Sequence, residues 1–83
     1  MKYLAQGQES REKVRLLIEM TKIGSDSIEA ALYDHLCKNF SISAAASING
    51  CLQPNLSVAI KTLNFFAKRV EQINELNYIN KVI

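Results

Sequence analysis

Eighty-three residues, nearly half of them apolar, with one Pro and three Gly, make one domain with a modest core and few long loops. That apolar share excludes a disordered tail, and no run approaches the ~20 apolar residues a membrane span needs. The net charge is only +2, but no carboxylate stands between Asp34 and Glu71, an interval that holds Lys38, Lys61, Lys68 and Arg69. A surface built from this stretch is neutral or basic and suits a polyanion.

Residues 1–8 hold Gly7 and two Gln without periodicity and read as a flexible N-terminal arm. Residues 9–77 read as the helical domain. From Glu9 an apolar stripe of Val14, Leu17, Ile18 and Ile23 predicts a first helix, with Arg11, Glu12, Arg15 and Glu19 opposite, broken at Gly24. Ser25 or Asp26 caps a second helix, with Glu29 in capping-box spacing after Asp26. It runs to about Lys38, burying Ile28, Ala31, Leu32, His35 and Leu36, and Asn39 suits its left-handed exit. Ser41 or Ser43 caps a third helix with the body Ala44-Ala45-Ala46-Ser47-Ile48-Asn49. Gly50 supplies a tight turn. Gln53-Pro54 then opens a fourth helix, with Pro54 at its first position. Leu56, Ala59, Ile60, Leu63, Phe66, Ala67, Val70 and Ile73 form its stripe, while Asn64, Asn74 and Asn77 are poor helix formers without breaking it. Residues 78–83 are expected to fray.

The fold class that follows is all-α, a small domain of four to five helices containing a helix-turn-helix at about residues 42–66. Its marks are small residues late in the first helix (Ala45, Ala46), a turn at Gly50 and Pro54, and an aliphatic face of Leu56, Ala59, Ile60 and Leu63. The second helix must present polar groups, and Gln53, Asn55, Ser57 and Lys61 are available. Gln and Asn pair with an adenine edge, while Lys61 and Lys68 suit phosphates. Ala-rich helices joined by Gly also occur in plain bundles, where Gln53 and Asn55 are only a cap and a solvated surface.

Catalysis is not expected. The one histidine and the scattered acids offer no nucleophile–base pair, and Asp34 and His35 point in different directions on a helix. Cys37 and Cys51 lack metal-like spacing and read as reduced thiols, so no metal, cofactor or small-molecule ligand is expected. The first ten residues carry no apolar run after Lys2, which predicts a soluble, cytoplasmic protein without a leader.

Leu16-Leu17-Ile18, Ile23, Ser25, Ile28, Ala31-Leu32, Asp34 and Leu36, then Ser41, Asn49-Gly50, Leu56-Ser57 and Leu63, stand in an ungapped spacing that resembles the PapB-type regulators of fimbrial (pilus) operons. The resemblance implies a helical DNA-binding protein that acts on AT-rich promoter repeats as a homo-oligomer and controls adhesin transcription. Departures are Ser43 and Thr62 where basic residues are common in the family, Lys38 or Asn39 in place of a Gly, and a shorter N-terminal extension. Fewer positive charges weaken phosphate attraction. The rival reading is a protein-interaction co-regulator, its helices serving self-assembly or partner binding without specific DNA binding of their own. Two surfaces suit a homo-oligomer: the far half of the last helix (Phe66, Val70, Ile73) and the first helix (Leu16, Leu17, Met20).

Overall fold

Serine hydroxyls set the starts of three of the four helices in the computed structural model, which describes residues 3–82 and side chains as far as Tyr78. Ser10 accepts the Lys13 amide hydrogen, Ser25 that of Ile28 and Ser41 that of Ala44, each satisfying a donor the helix itself leaves unpaired. The helices are α1 (Arg11–Glu19), α2 (Asp26–Leu36), α3 (Ile42–Asn49) and α4 (Gln53–Val82), with no strand among the described residues. The domain is all-α, and the turn at Gly50–Leu52 joins α3 to α4, the pair that the sequence marks as a helix-turn-helix.

The helix ends differ in detail from the sequence expectations. The first helix stops at Glu19, well short of Gly24. Thr21 closes it: its hydroxyl donates to the Ile18 carbonyl at 2.7 Å and accepts the Ile23 amide at 3.1 Å. Ser25, not Asp26, caps α2, so Glu29 lies one position beyond capping-box spacing. The α2 exit follows expectation, with Asn39 left-handed at φ 69°. Gly50 is likewise left-handed. Pro54 is the second residue of α4 rather than the first, a place that also lacks an intrahelical acceptor for the missing N–H.

The core takes Val14, Leu17 and Ile18 from α1, and Ile28, Ala31, Leu32 and Leu36 from α2. Ala45 and Ala46 come from α3, and Leu56, Ala59, Leu63 and Ala67 from α4. Ala45 and Ala46 let α3 approach both α2 and α4 closely. His35 is buried with them, its Nδ1 2.8 Å from the Phe40 carbonyl. Asn49 ties α3 to α2 through Nδ2, which donates to Asp34 Oδ2 and to the Ala45 carbonyl, both at 2.8 Å.

The two ends expected to be loose are ordered where described. Leu4 is a core residue, and the Gly7 and Glu9 amides donate to the His35 and Leu36 carbonyls, so residues 3–9 dock against the end of α2. The described part of the arm thus has a defined seat on the helical body. At the other end α4 continues through Tyr78 to Val82 without fraying. Met1, Lys2 and Ile83 lie outside the described residues.

Candidate nucleic-acid interface

At 100° per residue, Gln53, Ser57, Lys61 and Lys68 fall along one flank of α4. The buried stripe of Leu56, Ala59, Leu63 and Ala67 turns the adjoining face into the core, which leaves this flank at the edge of the domain. Gln53, Lys61 and Lys68 then line an open groove of about 1030 Å³. Its other wall consists of Tyr3, Leu4, Ala5 and Gln6 from the arm, with Ser41, Ile42 and Ser43 from the start of α3. No carboxylate lines it. Lys61 and Lys68 are exposed, and neither makes an ion pair among the described residues.

Not every residue picked from sequence joins this groove. Ser57 is half-buried on the same flank and does not line it. Asn55 is exposed, but two residues beyond Gln53 means a rotation of about 200° about the helix axis, onto the opposite flank. There it neighbours Thr62, whose hydroxyl bonds the Val58 carbonyl at 3.0 Å, and Val58 itself, 62% exposed. Lys38 leaves the pool of free charge, since its Nζ is 3.6 Å from Asp34 Oδ1. Arg69 lies over the Phe65 ring at 5.0 Å and donates to Gln72.

Sequence reading missed Asn64. Its Oδ1 accepts the Tyr3 amide at 2.8 Å and the Leu4 amide at 3.1 Å, across 61 and 60 residues of chain. The available signal was its place on the same flank as Gln53, Lys61 and Lys68. Gly50 holds the turn by its left-handed backbone, and Pro54 lies beyond the turn, exposed in the first turn of α4. The two cysteines are free and half-buried, and burial pushes the Cys37 thiol above its ordinary range.

A solved structure shares this architecture. The crystal structure of E. coli FocB at 1.4 Å resolution superposes with a TM-score of 0.80 at 23% identity, covering 88% of this chain and 83% of that one. The shared fold thus takes in nearly the whole helical body. No protein-family model matches the chain, and no curated protein matches it in sequence. No helix among the described residues is long and apolar enough to cross a membrane.

Proposed function

We propose that this protein is a DNA-binding regulator of transcription of a fimbrial or adhesin operon. It binds AT-rich promoter DNA through the first half of α4 and works as a homo-oligomer in the cytoplasm. The observation that carries the reading is the groove beside the helix-turn-helix, where Gln53, Lys61 and Lys68 converge on a lining without a carboxylate. A polyanion meets attraction there and no opposing charge. The fold shared with FocB, a fimbrial operon regulator, supports the operon assignment, as does the resemblance in sequence to PapB-type proteins. Ser43, which stands where that family is commonly basic, lines the same groove, so this chain attracts phosphate less strongly per copy and gains more from assembly.

The rival, a protein-interaction module without its own DNA binding, has one observation in its favour. Leu16 on α1, Met20 just after it, and Ile73 and Leu76 on α4 are all exposed apolar side chains. The DNA reading absorbs this surface as the place of self-assembly. A gel-shift titration decides between them, using an AT-rich fimbrial regulatory fragment and random DNA of equal length at two salt concentrations. The fragment is expected to shift first, with binding to both weakening as salt rises. No shift of either at low salt sinks the DNA reading.

A further inference from the structure

Resting on the DNA-binding reading above, we propose that the N-terminal arm belongs to the DNA-binding surface, with Asn64 both anchoring the arm and facing the bound sugar-phosphate strand. The argument starts from Asn64 itself. Two backbone amide hydrogens, from Tyr3 and Leu4, point at one side-chain atom, and only a carbonyl oxygen accepts both, which fixes that atom as Oδ1. The other end of the side chain is then an NH2 group. It has no hydrogen-bond partner among the described residues, and no buried polar side-chain atom there is left unpartnered, so Nδ2 opens to solvent. Asn64 lines the groove together with Lys61 and Lys68. Three side chains on one flank of α4 thus present only donors to the groove, and their spacing of three and four residues sets them about one helical turn apart.

The arm completes the opposite wall. Gln6 is exposed, and one hydrogen of its Nε2 is spent on the Asn39 carbonyl at 3.0 Å, which leaves the second free. The occupant this chemistry fits is a chain of singly charged anions with acceptor oxygens on both sides, which is what a DNA backbone is. Asn64 is in this respect a positioning residue for the arm and a contact for phosphate at once.

Asn64→Asp separates the two roles. The carboxylate still accepts both arm amides, so hydrogen exchange at Tyr3 and Leu4 stays slow and the melt is unchanged or higher. The lost donor and the added charge lower affinity for any duplex by about tenfold, the scale of one hydrogen bond to a charged group. Gln6→Glu carries the same test from the exposed wall. It keeps the Asn64 anchor but gives up the bond to the Asn39 carbonyl, so slow exchange at Tyr3 and Leu4 is checked alongside, and it is expected to weaken binding in the same direction. In the wild type, the Tyr3–Gln6 amide resonances are expected to move as duplex DNA is added. Should wild type bind DNA while both variants match its affinity and salt dependence and the arm resonances stay still, the arm is no part of the interface. In that outcome α4 alone remains the binding element. Should wild type bind no DNA at all, the parent reading fails along with this one.

Discussion

Gly50 and Gly7 have nearly the same backbone, φ +69° and +71°, yet substitution at each has a different consequence. A Cβ at Gly50 meets nothing within 4 Å, so Gly50→Ala carries only the left-handed penalty, about 1–2 kcal/mol, and shows as a modestly lower melting temperature. A Cβ at Gly7 falls 2.6 Å from Asn39 Cβ, and Asn39 is itself held left-handed. Gly7→Ala therefore releases the arm, whose docking free energy caps the cost. Fast amide exchange at Leu4 with a nearly wild-type melt of the helical body is the expected result, and a still-protected Leu4 amide would contradict it. Glu9 supports the same segment. Burial pushes its carboxyl up, but bonds from Lys13 and the Ala5 amide outweigh that and leave its pKa below 4.5. The sign follows: this stabilisation is present above the unfolded value near 4.5 and is lost as pH falls through the lower folded value. Glu9→Gln is expected to cost about 1 kcal/mol at pH 7 and nothing at pH 2, read from urea midpoints at the two values. The caps at Ser25 and Ser41, each one of two candidates, and both left-handed exits were legible in the sequence because each is a local choice of two or three neighbouring residues, while the Ser10 cap was not read. The arm was not, because its partner Asn64 lies 61 residues from Tyr3 and a backbone amide leaves no mark in side-chain periodicity.

The α3–α4 pair turns local choices into a binding face. Ala46 is 3% exposed between helices, so Ala46→Glu buries a charge and should unfold the domain, by several kcal/mol as an order of magnitude. A mutant that melts like wild type would remove Ala46 from that contact. Periodicity located this pair well: of the α4 stripe, Leu56, Ala59, Leu63 and Ala67 are buried, Ile60, Phe66 and Val70 are half-buried against them, and Ile73 departs at 56% exposed. What the reading of candidate DNA contacts left out was which side of the helix each one occupies. Gln53 and Asn55 looked equivalent in the linear sequence, and the helical rotation parts them. Lys61→Ala and Lys68→Ala should weaken specific and random binding alike and flatten the salt dependence. Gln53→Ala and Asn55→Ala should each lower discrimination, by ~1–3 kcal/mol per lost paired contact. Flank membership adds a sharper expectation. Gln53→Ala with Lys61→Ala shares one surface and should be less than additive, while Asn55→Ala with Lys61→Ala should add. Equal coupling in both pairs, measured by a double-mutant cycle on one duplex, would mean that the two flanks do not contact DNA separately.

The molecule as a whole is elongated, 50 × 23 × 21 Å, because α4 outruns the body that packs on it. Thirty helical residues span about 45 Å, while the last buried position on α4 is Ala67 and every residue from Glu71 to Tyr78 is exposed. A helix of this length standing clear of its neighbours is marginal in water, where most helical stability comes from packing an apolar face. Ile73 and Leu76 supply such a face, and Leu16 on α1 with Met20 just after it line a groove between α1 and α4 together with Leu17, Ala67 and Val70. A second copy that lays its own projecting helix against Ile73 and Leu76 covers that face, which lies around the helix from the groove. Covering a large aliphatic side chain contributes roughly 1.5–3 kcal/mol, and assembly multiplies the few base pairs that one small domain contacts. Val70→Asp is a poor test, since Val70 is half-buried against the core of its own chain. Ile73→Asp and Leu76→Asp are better, because both positions are exposed in the single chain and the fold survives their change. Each is expected to sediment as a smaller species than wild type and to bind a multi-repeat duplex without cooperativity, while affinity for a single site changes little. A wild-type protein that sediments as a monomer, both free and at saturating coverage of such a duplex with no cooperativity, would end the oligomer reading and leave the projecting helix without a partner of its own kind.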